Sequence, residues 1–261
     1  MTRRRLDTLL AERGLAASRT RAAASVRAGL VRLGPGGRRA ERPGQLVPED
    51  AELKLDEGPR YVSRAGTKLE NGLRALGVPV QGRECMDVGA STGGFTDCLL
   101  QHGAARVIAV DVGYGQLDWK LRNDPRVVVA ERVNARHLRP EDLPFAPRLA
   151  TADVSFISLK KVLPAVSRCL ADGGEILALI KPQFELERER VGKGGVVRDP
   201  AARRDALISV GRDAHDLGLH VVGFAPSGLP GPKGNRETFI RCALEGPGIE
   251  DLEAATREVD P

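Results

Sequence analysis

An apolar run at residues 84–88 leads into a glycine-rich stretch, which reads Asp87-Val88-Gly89-Ala90-Ser91-Thr92-Gly93-Gly94-Phe95. Glycine lets the backbone approach a ligand, and the N-terminus of a following helix offers unpaired N–H groups. A strand, a glycine-rich turn and a helix in this order predict a cofactor loop. A dinucleotide fingerprint reads G-x-G-x-x-G, whereas this loop reads G-x-x-x-G-G. The loop alone therefore leaves the cofactor open.

The chain around this loop alternates apolar runs with amphipathic segments. The apolar runs are 84–88, 106–110, 126–129, 149–153, 175–180 and 220–224. Such alternation predicts an α/β fold, with a parallel sheet covered by helices on both faces. Ligands of such sheets bind outside the carboxyl ends of the strands, so functional residues are expected there.

The end of the pattern narrows the fold class further. After the run 220–224, residues 226–235 are rich in Pro and Gly and lead into a strand at about 237–244. A short link without a helix cannot make a parallel crossover, so this last strand must run antiparallel. A seven-stranded sheet with a reversed last strand resembles the Rossmann-like methyltransferases.

A second acidic residue supports a nucleoside cofactor. Asp111 ends the second run, 24 residues after Asp87, where a carboxylate accepts from ribose hydroxyls. NAD and S-adenosylmethionine both suit this arrangement, and the reversed strand favours S-adenosylmethionine. The predicted cofactor-binding residues are Asp87, Gly89, Ala90, Ser91, Thr92, Gly93, Gly94, Phe95, Asp111, Asn134, Ala135 and Asp153. For Asn134 and Ala135, a simple turn is an equal alternative.

Charged residues are predicted to gather at the same edge of the sheet. Asp153 and Lys181 each end a parallel strand, and Glu237 begins the antiparallel one, so all three should meet there. Lys68 lies in a predicted helix that runs from residue 64 or 65 to about residue 76. No metal site is predicted, because the four cysteines and four histidines share no ligand spacing.

Several motifs together resemble one family. These are 89–96, Asp153-Val154-Ser155-Phe156-Ile157-Ser158-Leu159 and Lys181-Pro182-Gln183-Phe184-Glu185, with an S4-like segment before them. They resemble the TlyA family of ribosomal RNA 2′-O-methyltransferases. The resemblance implies S-adenosylmethionine as cofactor and ribosomal RNA or ribosomal subunits as partner. The broader FtsJ-like class uses a Lys-Asp-Lys-Glu catalytic tetrad, which maps onto Lys68, Asp153, Lys181 and Glu237.

The first 60 residues carry the whole net charge. They hold 13 Lys or Arg against 8 Asp or Glu, whereas the rest of the chain is balanced at 27 against 27. Their pattern of two short helices, turns and short strands resembles the S4 RNA-binding domain. We therefore expect RNA binding by Arg3, Arg4, Arg5, Arg19, Arg21 and Arg27. A general preference for Arg over Lys, or a purely structural cap, are the alternatives.

These observations predict four segments: an S4-like domain at 1–58, a linker at 59–63, a methyltransferase domain at 64–246 and an acidic tail at 247–261 that frays. Aromatic residues are only 3% of the chain, which predicts that phosphate contact rather than base stacking dominates RNA binding. No apolar run approaches the roughly 18 residues of a membrane span, and no signal peptide is recognisable, so a cytoplasmic protein is expected.

Three functions are compatible with parts of this pattern. The preferred one is methylation of a ribose, most simply of cytidine, in 16S ribosomal RNA, 23S ribosomal RNA or both. A membrane-lytic protein is the second, because some relatives of the family carry the label haemolysin. A non-catalytic RNA-binding module is the third, and the complete tetrad argues against it.

Overall fold

A computed structural model describes residues 2–260, which form two compact units. The division falls between Arg60 and Tyr61, inside the predicted linker. Tyr61 is buried in the core of the larger unit, and the Val62 N–H donates to Asp97 at 2.9 Å. Residues 61–63 therefore belong structurally to the larger unit.

The small unit, residues 2–60, packs two helices against short strands. Its elements are β1 (Arg3–Arg5), α1 (Leu6–Glu12), α2 (Arg19–Arg27), β2 (Val31–Leu33), β3 (Arg38–Arg39), β4 (Leu46–Pro48) and β5 (Leu53–Leu55). Ser18 caps α2 by accepting from the Arg21 N–H at 3.2 Å, as a serine before a helix does. Leu6, Leu10, Ala22 and Val26 form its core. The expected S4-like arrangement of two helices and short strands is present.

The larger unit is built on a seven-stranded sheet. Its strands are β6 (Glu84–Val88), β7 (Arg106–Asp111), β8 (Val127–Glu131), β9 (Leu149–Ala152), β10 (Glu175–Ile180), β11 (His220–Pro226) and β12 (Thr238–Ala243). Across the sheet, the strands lie in the order β11-β12-β10-β9-β6-β7-β8. Its helices are α3 (Arg64–Ala75), α4 (Gly94–Gln101), α5 (Trp119–Arg122), α6 (Leu163–Arg168), α7 (Pro182–Glu185), α8 (Pro200–Asp216) and α9 (Leu252–Val259).

The strand directions confirm the predicted fold class. β12 pairs antiparallel with both β10 and β11, whereas β10–β9, β9–β6, β6–β7 and β7–β8 are parallel pairs. The strand order reverses between β6 and β9, because β9 lies on the side of β6 opposite β7. The loops after β6 and β9 thus border the crevice in which ligands of such sheets bind.

Two apolar clusters cover the two faces of the sheet. In β10 all six residues are buried, and the five that follow Glu175 are apolar, as is typical of a strand covered on both faces. On one face, α3 approaches through glycines. An added Cβ would lie 2.4 Å from the Tyr61 ring at Gly66 and 2.7 Å from the Phe239 ring at Gly72. Close approach of α3 to the sheet therefore requires these two glycines.

The acidic tail is not frayed, so that expectation was wrong. Residues 252–259 form α9, and Asp251 caps this helix by accepting from the Ala254 N–H at 2.9 Å. Asp260 is buried, where Arg203 Nη2 donates to its Oδ1 at 2.7 Å and Arg203 Nε donates to its Oδ2. The acidic composition of the tail predicted that its carboxylates are exposed to solvent. Asp260 is buried instead, because Arg203 on α8 binds both of its oxygens.

We predict that Asp260→Ala lowers the free energy of unfolding by about 2 kcal/mol, because it leaves the buried Arg203 guanidinium without its carboxylate. The effect is smaller than for a fully enclosed pair, since the end of α9 can detach and let water reach Arg203. Urea unfolding checks this. Glu258→Ala, an exposed position on the same helix, is the matched control and should change the midpoint little. Equal midpoints for both variants would contradict the role given to Asp260.

Candidate active site

The glycine-rich loop after β6 is held in a conformation that only glycine adopts readily. Gly89 and Gly93 have φ values of +85° and +94°. A Cβ on Gly89 would lie 2.6 Å from the Asp153 carbonyl oxygen, and one on Gly93 would lie 2.3 Å from Leu121. Ser91, with φ +49°, and Thr92 are exposed at the tip of the loop. The loop therefore lies tightly against the loop after β9 and presents its tip outward, before the N-terminus of α4.

Asp87 organises this loop from beneath. Its side chain is fully buried, and Oδ2 accepts from the Thr96 N–H at 2.9 Å and the Thr96 hydroxyl at 2.7 Å. Oδ1 accepts from the Thr151 hydroxyl at 3.5 Å. Burial raises the pKa of Asp87 to about 7. Asp87 was predicted to bind the cofactor, and in the structure its carboxylate supports the loop and α4.

Two other predicted cofactor contacts are also used internally. Phe95 is buried, with its ring 5.9 Å from that of Phe239, so its side chain belongs to the core rather than to a ligand surface. The Asn134 side chain accepts from the Arg136 N–H at 3.1 Å and caps a single 3₁₀ turn that begins at Ala135. This is the simple-turn alternative, which accounts for Asn134 without a ligand.

Asp111 ends β7 beside the tip of the loop. Its Oδ2 accepts from the Ser91 N–H at 2.7 Å and its Oδ1 from the Gly113 N–H at 2.6 Å. Each carboxylate oxygen has a second lone pair, so both can still accept from a ligand hydroxyl. Val112, the next residue, is 73% exposed and offers apolar surface beside the carboxylate. The arrangement fits a ribose with a flat base next to it.

The four charged residues form two ion pairs. Lys68 Nζ donates to Glu237 Oε2 at 2.5 Å, and both side chains are buried. Lys181 Nζ lies 2.6 Å from Asp153 Oδ1 and donates to the Ser155 hydroxyl at 2.9 Å. Ordinary surface pairs would be solvated, whereas these ammonium groups are held away from bulk water.

The sheet brings the two pairs next to each other. Ile180 is opposite Thr238 in the antiparallel pairing of β10 with β12. Continuing that register by one residue sets Lys181 opposite Glu237, with Cα atoms about 5 Å apart. Asp153 follows β9 on the other side of β10, and its backbone touches the glycine loop. All four residues thus converge beside the loop.

Two carboxylate oxygens in these pairs are buried without a hydrogen-bond partner among residues 2–260. They are Asp153 Oδ1 and Glu237 Oε1. Asp153 Oδ1 nevertheless lies 2.6 Å from the Lys181 ammonium, which compensates its charge, whereas Glu237 Oε1 has no such contact within these residues. Buried acceptors require donors, so these oxygens are suited to a hydroxyl or ammonium group of a ligand. The residues present therefore fit a cofactor with an amino acid and a ribose moiety.

Sequence reasoning missed two residues that follow Asp153. Ser155 accepts from the Lys181 ammonium, and Phe156 is 92% exposed with φ +64°, a strained value for a bulky residue. The Phe156 ring lies 5.3 Å from that of Phe184. Both residues are in the motif 153–159, but the low aromatic content argued against stacking. The exposed ring is an aromatic surface that the composition did not indicate at this edge of the sheet.

In the small unit, the six predicted RNA-binding arginines are not equivalent. Arg4 is paired with Glu12 at 2.6 Å, and Arg5 with Asp7 at 2.8 Å. Arg5, together with Arg19, lowers the pKa of the Asp7 carboxyl to about 2. Arg3, Arg21 and Arg27 are exposed and face no carboxylate within ion-pair distance in the described part of the chain. These three have guanidinium groups available to phosphates.

A parallel sheet with one reversed strand, a glycine loop after β6, an acid after β7 and a charged tetrad at the switch point define a Rossmann-like methyltransferase. The chain belongs to the FtsJ-like methyltransferase family, which it matches over residues 61–243. Residues 4–53 match the S4 domain. The resemblance seen in the sequence is thereby confirmed.

Individual relatives cover nearly the whole chain. A Mycobacterium tuberculosis protein named 16S/23S rRNA (cytidine-2'-O)-methyltransferase TlyA is 49% identical, covering 95% of this chain and 95% of its own. Hemolysin A of Brachyspira hyodysenteriae is 40% identical, covering 89% and 97%. A solved structure from Streptococcus thermophilus is 42% identical with a TM-score of 0.75, covering 99% and 94%. Among residues 2–260, no helix is both long enough and apolar enough to cross a membrane.

The raised pKa of Asp87 predicts a pH-dependent stability. The unfolded pKa is 3.8 and the folded one about 7, so the folded state loses stability as pH rises between these values. Asp87→Asn keeps an acceptor for Thr96 but does not ionise. We predict that the wild type becomes less stable relative to Asp87→Asn from about pH 4 to about pH 7, and that the difference is constant above this range.

Thermal unfolding of both proteins across this pH range measures the effect. Other groups titrate in both proteins and cancel from the difference. A difference that does not change with pH would show that Asp87 ionises freely in the folded protein.

Proposed function

We propose that the protein transfers a methyl group from S-adenosylmethionine to the 2′-hydroxyl of a ribose, most simply of cytidine, in 16S ribosomal RNA, 23S ribosomal RNA or both. The observation that carries the proposal is the convergence of Lys68–Glu237 and Asp153–Lys181 beside the glycine loop. The M. tuberculosis relative, 49% identical over 95% of both chains, is named for this reaction.

S-adenosylmethionine, when bound, supplies an electrophilic methyl group on sulfur. Asp111 is assigned to its ribose hydroxyls and Val112 to the base beside them. The loop 89–94 and Asp153 would hold its amino acid part. Asp87 and Phe95 contribute by holding this loop and α4 in place.

A ribose 2′-hydroxyl is a weak acid, so its attack requires removal of the proton or stabilisation of the developing oxyanion. Lys181 is assigned this role, because it is the lysine held at the strand end next to Asp153 and the loop. In its neutral form its amine accepts the proton, and in its charged form it stabilises the oxygen.

The two carboxylates keep the lysines in position. Glu237 fixes Lys68 through one oxygen and retains a second, buried acceptor oxygen that suits the substrate hydroxyl. Asp153 faces Lys181 on its other side. The exposed ring of Phe156, three residues after Asp153, provides a face on which the target base can stack.

The S4 domain is assigned to holding the RNA through phosphate contacts. It has no aromatic residue within residues 1–60, and its exposed arginines supply charge. Structured ribosomal RNA or an assembled subunit, recognised by shape and phosphate, fits this surface. Such a substrate implies that the protein acts in the cytoplasm.

Replacing Lys181 is the direct test of the chemistry. Lys181→Ala should lower kcat by at least about 100-fold, the range lost with a general base. Lys181→Arg should also fail, since a guanidinium stays protonated. Methyl transfer from radiolabelled S-adenosylmethionine to ribosomal RNA measures both variants.

Cofactor and RNA affinities and the unfolding temperature serve as controls, and all should be close to wild type. Substantial activity of Lys181→Arg would assign charge stabilisation rather than proton removal to Lys181. Near-normal turnover by Lys181→Ala would refute the catalytic assignment altogether.

The S4 assignment predicts a change in salt dependence. Arg21→Gln combined with Arg27→Gln should lower RNA affinity and flatten the slope of log K against log salt by about 2, because two phosphate contacts are lost. Filter binding between low and moderate salt measures the slope. Arg257→Gln, an exposed arginine of the acidic α9 segment, is the control. If the wild type, the double variant and the control share the same slope, Arg21 and Arg27 do not contact RNA phosphates, and the positive charge of residues 1–60 reflects amino-acid composition only.

A second candidate function rests on the relative named Hemolysin A. Leakage of a dye from liposomes at low protein concentration would support membrane lysis. Cofactor binding without methyl transfer to any ribosomal RNA would instead support a non-catalytic RNA-binding module.

A further inference from the structure

Two loops run side by side outward from the ends of β9 and β10. Loop A comprises residues 153–159 and loop B comprises residues 181–185, which contain α7. Nearest the sheet, Lys181 meets Asp153 and Ser155. Further out, the Phe184 ring lies 5.3 Å from that of Phe156. Both loops thus carry residues of the proposed reaction and are joined along their length.

Glu185 closes the far end of this pair of loops. Its Oε2 accepts from the Ser158 hydroxyl at 2.6 Å, and its Oε1 accepts from the Leu159 N–H at 3.0 Å. Both of its oxygens are therefore used by loop A, although the residue itself is the last of loop B. The mechanism proposed above gives Glu185 no role.

The position is an unfavourable one for a carboxylate. Burial raises the pKa of Glu185 above its ordinary value, with the hydrogen bonds from Ser158 and Leu159 acting in the opposite direction. Ionising Glu185 at this buried position costs free energy, and both of its carboxylate oxygens accept hydrogen bonds from loop A. We therefore explain this residue by function rather than by stability.

Neither loop has enough structure of its own to stay in place. Helix α7 is a single turn of four residues, too short to be stable alone. Loop A holds Phe156 at φ +64°, which costs about 1 kcal/mol or more and persists only when the surroundings impose it. A tie between the outer ends of the two loops supplies that constraint.

We propose that Glu185 is a positioning residue that ties loop A to loop B and thereby fixes Ser155 against Lys181 and Phe156 against Phe184. The inference rests on the proposed function, since it concerns the alignment of residues assigned there. Cofactor affinity should not depend on this tie, because Asp111 and the glycine-loop tip follow other strands, β7 and β6. Asp153, at the inner end of loop A, is held at the sheet by its own N–H, which donates to the Val88 carbonyl at 2.9 Å.

Three variants of the full chain test the tie. Glu185→Ala removes both acceptors. Glu185→Gln preserves the tie, because its amide oxygen accepts from the Leu159 N–H and its NH₂ donates to the Ser158 hydroxyl. Glu187→Ala makes the same truncation two residues further on, at an exposed position outside these contacts, and is the matched control.

Hydrogen exchange of peptides covering residues 153–160 measures the tie without reference to activity. Glu185→Ala should speed exchange in this segment and leave residues 89–95 unchanged, while Glu185→Gln and Glu187→Ala should match the wild type. In the methyl-transfer assay, Glu185→Ala should lower kcat about 10- to 100-fold, the effect of a small misalignment, with the S-adenosylmethionine affinity unchanged. Glu185→Gln should restore most of kcat.

Wild-type exchange and wild-type kcat in Glu185→Ala would overturn the proposal. So would a Glu185→Gln variant as impaired as Glu185→Ala, since hydrogen bonding would then not be the cause. If Glu185→Ala fails to fold, Ser158→Ala, which removes one of the two bonds, replaces it and should show the smaller change in the same direction. A wild type that transfers no methyl group would refute the proposed function, and the exchange measurement would still decide whether Glu185 ties the loops.

Discussion

The antiparallel pairing of β10 with β12 determines the geometry of the site. A parallel strand places side chains at the carboxyl edge of the sheet only where the strand ends. A reversed strand instead places there the side chains at which it begins. The register that places Ile180 opposite Thr238 therefore sets Glu237 beside Lys181, although 56 residues separate the two in the chain. Through Glu237 the same register also holds Lys68 of α3.

The site concentrates charges that a core would ordinarily exclude. Lys68, Glu237 and Lys181 are buried, and Asp87 is fully so. Buried ion pairs contribute little net stability, because desolvation offsets most of their attraction. The apolar clusters on the two faces of the sheet provide the stability that offsets the cost of burying these charges. The ordered strands fix where the charged side chains lie. Preorganised charges of this kind need no rearrangement when a substrate arrives.

Residues fixed by strand ends could be predicted from the sequence, whereas residues fixed by loop conformation could not. Lys181 and Asp153 follow long apolar runs, so their meeting required only the topology. Asp87 also follows such a run, but its use by Thr96 and Thr151 depends on how α4 folds back over it. Phe156 and Glu185 act across two loops whose pairing leaves no periodic signal. Asp260 looked like part of a solvated tail because its partner, Arg203, lies 57 residues earlier.

The glycines of α3 give the protein a vulnerability away from its chemistry. Gly66 packs on the Tyr61 ring and Gly72 on the Phe239 ring, at distances that admit no additional carbon atom. A single methyl group at either position would move the helix outward and carry the Lys68 ammonium with it. Spontaneous mutants that lose activity are therefore expected to include changes that leave every charged residue of the site intact. In a search for such mutants, Gly66 and Gly72 should therefore be sequenced along with the four residues of the tetrad.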